Sequence, residues 1–252
     1  MATSNKTRNR SFRGGGGMYL RERGATAGFF QVGNADTLQF AINEEKQTQR
    51  NYQQPGGGNI ASESSITDVT ASINVLSINP RIAAVALRAL VNTVESAAIS
   101  AESHQAYSDM FIPFEFLPDF DQPLTVTDSG ASTTYVAGTD YLVRNNGIFI
   151  DPDGSIPDDS EILLTYQSKA QYNIETITKS SVEYEMFFDG FNEADNGKAV
   201  SVTCHRISFS PAQALSLITE DFGALPMEFE VLADDSKDGS TESQYFVVRL
   251  EQ

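Results

Sequence analysis

Apolar and polar positions alternate along most of this chain with a period of two. GFFQVGNADTLQFAINEE places Leu38, Phe40 and Ile42 on one side and Thr37, Gln39 and Ala41 on the other, the pattern of a half-buried strand. ITDVTASINVLSI repeats it. Val69, Ala71, Ile73 and Val75 form an apolar face, and Asp68, Thr70, Ser72 and Asn74 form a face expected to be wet. Between these strands the stretch from Lys46 to Ser65 is polar. Its centre, QQPGGGN, holds Pro55 and three glycines, so it reads as the mobile tip of a long hairpin. Further strand patterns occur in YLVR, IFI, EILLTYQ, YNIETI, VEYEMFF, AVSVTCHRISF, MEFEVL and YFVVRL.

The period changes once. Asn79 is suited to cap a helix, and Pro80 sits where its missing N–H costs no hydrogen bond. Ile82, Val85, Ala86, Ala89 and Leu90 then recur at helical spacing, widened by Leu87. This predicts one principal helix over about 79–92. SAAISAES fits more helix or a strand, and Ser210-Pro211 is a candidate start for a short helical turn. Asn146-Gly147 is a hairpin signal, with turn signals at Asp189-Gly190, Asn196-Gly197 and Asp238-Gly239. The expected fold is mostly β: a sandwich or barrel of antiparallel strands with one principal helix and a long hairpin loop. Residues 1–25 read as a flexible N-terminal arm, 26–120 with 168–252 as the β core, and 121–167 as a β-rich accessory insert.

Composition narrows the class. At 252 residues and 40% hydrophobic content, the chain can bury a core without disulfides or metal. It has no apolar run long enough to span a membrane. MATSNKTRNRSFRGGGG lacks the apolar region of a secretory signal, so no membrane anchor is expected, and synthesis in a reducing cytoplasm is. The lone cysteine, Cys204, excludes an intramolecular disulfide.

Charge divides the chain. Its net is −17, yet residues 1–25 carry six cations against Glu22 alone, a net of +5, leaving −22 for the rest. Such a body lacks the cations that displace counterions from a nucleic acid backbone. The basic tip, with Arg8, Arg10, Arg13, Arg21 and Arg23, suits docking on an acidic surface such as a sister subunit.

Candidate chemistry is sparse. Gly14 to Gly17 lacks the preceding strand and following Gly-Lys-Ser/Thr of a phosphate cradle, and reads as a flexible linker. Asp151-Pro152-Asp153-Gly154 hints at a calcium loop, but Ser155, Ile156 and Pro157 follow where further oxygen ligands belong. A turn is expected there, with a weak surface cation left open. Cys204 lies on the Val200/Val202 face as a small buried hydrophobe, and its neighbour His205 faces the other way. GxSxG, HExxH and Walker patterns do not occur. The sequence therefore predicts no enzyme, no cofactor and no metal centre. The carboxylate pairs Glu183/Glu185 and Glu228/Glu230 each share a strand face: a solvated face, or part of a continuous acidic surface.

Two stretches carry a family resemblance. One runs from GNADTLQFAINEE through the PGGG loop to SINPRIAAVALRAL. The other runs from Asn196-Gly197-Lys198 through HRISFSPA to EDFGALPMEFEVL. Together they are similar in order and character to the major tail tube proteins of tailed bacteriophages. The segment GTDYLVRNNGIFIDPDGSIPDDSEILLTY resembles an accessory hairpin insert of phage structural proteins.

The resemblance implies a β-sandwich or barrel with a flanking helix, assembled with itself into hexameric rings that stack into a virion tail tube. Partners implied are the tape measure protein, the tail terminator, baseplate or tip proteins and, in a contractile tail, a sheath. DNA would pass through the lumen without specific binding. On this reading Gln39, Asp68, Thr70, Ser72 and Asn74 line the lumen. Arg50, Asn51, Tyr52, Gln53, Gln54, Pro55, Gly56, Gly57, Gly58 and Asn59 stack rings, and the arm arginines make contacts between subunits. Two alternatives stand beside it: another assembly component of a virion or injection machine, and a carbohydrate- or surface-binding β-sandwich.

Overall fold

In the computed structural model, residues 11–53, 55–220 and 222–252 are described. The chain opens with β1 (Gly14–Glu22), β2 (Phe30–Gly33), β3 (Ala35–Arg50), β4 (Asn59–Val75) and α1 (Pro80–Ala86). Nine strands follow: β5 (Leu90–Val94), β6 (Ala98–Ala106), β7 (Phe111–Pro113), β8 (Thr125–Asp128), β9 (Thr134–Tyr135), β10 (Tyr141–Arg144), β11 (Gly147–Ile150), β12 (Ser160–Gln167) and β13 (Gln171–Glu175). It ends with β14 (Glu183–Asn192), β15 (Lys198–Phe209), β16 (Leu225–Val231) and β17 (Phe246–Leu250). Among the described residues the fold is mostly β and antiparallel with a single α-helix, and no barrel closes.

The first compact unit comprises residues 1–90 and 174–252. Its sheet runs β2-β1-β14-β15-β16-β4-β3, with β17 also paired to β15. Val200–Cys204 of β15 pair with β17, and Ile207–Phe209 pair with β16. Strand alternation turns Leu20, Met186, Cys204, Phe229 and Ile73 inward, and a register shift between Tyr184 and Met186 brings Ile207 to the same side, where Ile82 and Ala86 of α1 join the same core. Asn79 caps α1 by accepting a 2.9 Å hydrogen bond from the Ile82 N–H, with Pro80 in the first turn. The helix closes at Leu87, and Arg88 turns the chain at φ +48. It is shorter than the expected 79–92. Val91, Thr93 and Val94 are β-branched and extend into β5.

The N-terminal segment departs most from expectation. Gly14–Glu22 is not a flexible arm but a strand, paired along its whole length with β14. The glycines are the condition for that pairing. A Cβ on Gly15 would meet the Phe191 ring at 2.9 Å, and one on Gly17 would meet the Tyr19 ring at 3.2 Å. At Gly16 it would lie 2.3 Å from the Asp189 carbonyl oxygen and 2.5 Å from the Gly190 Cα. Aromatic rings occupy the space the missing side chains leave. Asp189-Gly190 accordingly sits inside β14, opposite Gly17 and Gly16, and is not a turn. Arg8 and Arg10 lie outside the described residues.

The second unit comprises residues 91–173, wider than the expected insert of 121–167. Its two sheets, β10-β11-β7 and β6-β12-β8-β9, share a core that includes Ile112, Val126, Ile148, Ile162 and Leu164. The boundary moves because β6 pairs with β12 and β7 with β11, and periodicity does not record long-range pairing. SAAISAES is therefore strand. The β10–β11 hairpin turns at Asn145-Asn146, one residue before the expected pair, since Arg144 faces Gly147. β5 and β13 pair with each other. Ser210-Pro211 starts no helix; the described residues between β15 and β16 form an irregular loop.

The close approach at Gly16 gives a direct test. Gly16→Ala is expected to cost about 1–3 kcal/mol, because the neighbouring backbone must move. Gly58→Ala, with open space around the added Cβ, should stay within about 0.5 kcal/mol of the parent. Denaturant unfolding of both proteins measures the difference, and equal stabilities would remove the steric account.

Candidate functional site

β3 and β4 begin as sheet strands and end as something else. Through Phe40 and from Asp68 onward, one side of the pair is apolar and inward. The other carries Gln39 opposite Ser72, Ala41 opposite Thr70 and Thr37 opposite Asn74. β16 extends this polar face, with Glu228 beside Ser72 and Glu230 beside Thr70. Asn74 donates to Asp36 at 3.0 Å, and Asn43 donates to Asp68. Gln39 is exposed, and Asp68, Thr70, Ser72 and Asn74 are half-buried. The structure thus gathers all five residues of the predicted wet face on two paired strands. No Lys or Arg occurs in 35–43, 68–75 or 225–231.

Beyond a register shift at Asn43/Glu44 the two strands leave the sheet. Glu44–Arg50 and Asn59–Ile66 are exposed residue after residue and pair only with each other, with Glu45 opposite Ser65 and Arg50 opposite Asn59. The polar stretch from Lys46 to Ser65, expected to be a mobile tip, is therefore mostly ladder. The tip itself spans residues 51–58. The Asn51 N–H donates to the Gly58 carbonyl at 2.6 Å, the Gln53 N–H donates to Asn51 Oδ1 at 2.8 Å, and Gly56 takes φ +88. Arg50 lies 6.0 Å from the centre of the exposed Tyr52 ring. Gln54 lies outside the described residues. Ile42, Ile60 and Ile66 stand exposed on the ribbon.

The described arginines of the N-terminal segment are engaged within their own unit and do not hang free as an arm. Arg13 meets Glu193 at 3.0 Å. Arg21 pairs with Glu185 and lies over the Phe29 ring. Arg23 bridges Glu183 at 3.4 Å and Asp234 at 2.9 Å. Arg206 grips Glu183 with two nitrogens, at 2.9 and 2.6 Å. That guanidinium, helped by Arg23, holds the Glu183 carboxyl below the usual glutamate range. At Asp234 burial opposes ionisation, but hydrogen bonds from Ser236 and the charges of Arg23 and His205 outweigh it and lower the pKa. This network joins β1, β14 and β15. Sequence reading saw Glu183 and Glu185 on one face but had no signal for their partners, which lie up to 164 positions away.

In the second unit the acidic residues serve loops. Buried Asp140 accepts the Val136 N–H at 2.7 Å and both the N–H and hydroxyl of Ser155, and those bonds lower its pKa. Asp151-Pro152-Asp153-Gly154 is a turn, with Asp153 N–H donating to Asp151 Oδ1. Glu102 accepts from Tyr166 at 2.6 Å and meets His104 at 2.6 Å; burial, then this bond, pushes the tyrosine well above its ordinary range. Cys204 is buried, which pushes its thiol up to about 12. Among the described residues no group of three or more His, Cys, Asp or Glu side chains is placed to hold a metal ion.

A family model described as "Protein of unknown function UCP028589" matches residues 11–249. The chain belongs to that family. No curated protein matches it. In this UCP028589 member the matched region takes in both units, the whole exposed ribbon and the polar face.

The Glu183–Arg206 pair predicts an acid dependence. A carboxyl with a lowered folded pKa lends stability that is complete above its unfolded value and lost as the pH falls through the folded one. Glu183→Gln should therefore lower Tm at neutral pH and show a shallower decline on acidification. The two curves should converge once the pH falls below the lowered folded value. Thermal scans across that range decide it, and parallel curves would show that the pair contributes nothing.

Proposed function

We propose that this protein is a structural, non-enzymatic virion component that assembles with itself into stacked hexameric rings forming a phage tail tube. The observation that carries this reading is that one pair of strands supplies both surfaces such a polymer needs. The inner halves of β3 and β4 present the polar face, and their outer halves form the exposed ribbon. A two-stranded ribbon is marginal in water by itself. One about 30 Å long, at roughly 3.3 Å per residue, with isoleucines exposed and no core on either side, is suited to lie on another subunit. Ring-to-ring stacking through Arg50–Asn59 is the role it fits.

The polar face suits the bore. Gln39, Thr70, Ser72 and Asn74 are short or uncharged, and Asp68, Glu228 and Glu230 add negative field. DNA phosphates meeting such a wall find no cation to displace their counterions. The tape measure protein would fill the same lumen before ejection. Terminator, baseplate or tip proteins, and a sheath where the tail contracts, would bound the tube. The chain would be synthesised in the host cytoplasm and reside in the tail.

Negative-stain electron microscopy of the purified protein is expected to show long hollow filaments. Replacing Lys46–Ser64 with Asn-Gly joins Glu45 to Ser65, which already face each other, through a two-residue turn. It should leave isolated rings and no tubes. Thr70→Arg with Ser72→Arg should still assemble but retain added DNA. Monomers alone from the parent chain, or full-length tubes from the shortened hairpin, would overturn the proposal.

A further inference from the structure

The three-stranded sheet of the second unit, β10-β11-β7, has one face in the core and one in solvent. Tyr141, Ile148, Ile150 and Ile112 turn inward. The alternate positions form two rows across the strands. Leu142, Phe149 and Phe111 stand opposite one another in the first, and Arg144, Gly147 and Pro113 in the second. Phe111 is 49% exposed, Pro113 and Arg144 are exposed, and Leu142 and Phe149 are half-buried. A Cβ added at Gly147 would lie 2.4 Å from the Phe111 ring. The ring therefore reaches across β11, into space that any side chain at 147 would take.

Polar groups without internal partners stand at one end of this face. The side chains of Arg144 and of Asn145 and Asn146 in the β10–β11 turn are exposed, and among the described residues they make no hydrogen bond, ion pair or ring contact. The unit's other cation, Lys169, lies 3.7 Å from Asp119. Charge and size then narrow what the face can hold. The unit carries two cations against thirteen carboxylates, a net of −11, so it repels polyanions. Strands lie about 4.8 Å apart and same-face neighbours about 6.8 Å apart, so the two rows span roughly 10 by 7 Å. That is the footprint of one or two sugar rings. It falls far below the roughly 800 Å² that each side of a stable protein interface buries.

We infer that this face is a binding site for a neutral saccharide, with Phe111 and Phe149 under the sugar ring and Arg144, Asn145 and Asn146 on its hydroxyls. A pyranose has an apolar C–H face and a polar rim, and the sheet offers the same two surfaces in the same order. Aromatic rings present a negative π-face to the C–H side. The guanidinium donates in a planar fork, and each amide both donates and accepts, so these groups match neighbouring hydroxyls. A neutral ligand meets no repulsion from the −11 unit, whereas an acidic polymer does. The site lies within the second unit alone and stands whether or not the chain forms a tube.

Saturation-transfer NMR on the full chain tests this with short homo-oligomers of glucose, mannose, galactose and N-acetylglucosamine, and with polygalacturonate and duplex DNA as anionic probes. At least one neutral oligomer should receive saturation, most strongly at its ring C–H protons, and the anionic probes should receive none. Phe111→Ser should weaken that binding at least about fivefold, the worth of one aromatic contact. Arg144→Ala with Asn146→Ala removes the polar end, leaves the ring in place and should weaken it as much, so the test survives if Phe111→Ser does not fold. Tyr172→Ser, at a position 58% exposed on β13, should bind like the parent. Circular dichroism verifies the fold of each variant. No saturation of any neutral oligomer, saturation of the anionic probes alone, or equal binding by parent, Phe111→Ser and the double variant overturns the site. So does a loss with Tyr172→Ser as large as with Phe111→Ser. Tubes seen by microscopy without saccharide binding would leave the tube reading standing, and binding by a chain that forms no filaments would leave this site standing.

Discussion

Everything in the first unit hangs on β15 being satisfied along both edges. On one side it pairs with β14; on the other its first half is held by β17 and its second by β16. A central strand fixed in this way has no freedom of register, because a slip of one residue would turn Val200, Val202, Cys204, Ile207 and Phe209 toward water. The inward set of β15 in turn fixes the inward sets of β14, β16 and β4. The polar face of Thr70, Ser72 and Glu228 is thus a by-product of core burial. It faces outward because its alternates face in.

The elements that could be read from the sequence are those in which a local pattern and a tertiary partner agree. β4 alternates cleanly and is buried at every second position from Val69 to Val75. Asn79-Pro80 caps α1 as its chemistry demands. Reading failed where a partner overrode local preference. Four glycines imply disorder on their own, and become a strand only because Phe188, Phe191 and Tyr19 fill the space above them. Asp189-Gly190 looks like a turn until Gly16 is set opposite it. The helix stripe from Ile82 to Leu90 continues on paper past Ala86, yet the β-branched run after Leu90 pairs with β13 instead.

The candidate surfaces divide in the same way. The wet face from Gln39 to Asn74 was legible because it needs nothing beyond alternation. The ribbon was half legible: polarity and PGGG announced a protruding hairpin, but the ladder up to Arg50 and from Asn59 depends on cross-strand bonds that polarity does not encode. The arginines were legible as charge and misleading as geometry, since the carboxylates that hold Arg21 and Arg23 lie at the far end of the sequence.

The pairing of β5 with β13 bears on how this chain tolerates change of architecture. Because those strands are hydrogen-bonded neighbours, the ends of the second unit stand about one strand spacing apart, roughly 4.8 Å. A segment that leaves and re-enters at nearly one point behaves as a cassette: lengthening, exchanging or removing it changes a loop on its host and leaves the host's strand order untouched. In practical terms it is the place to graft a label or a foreign domain.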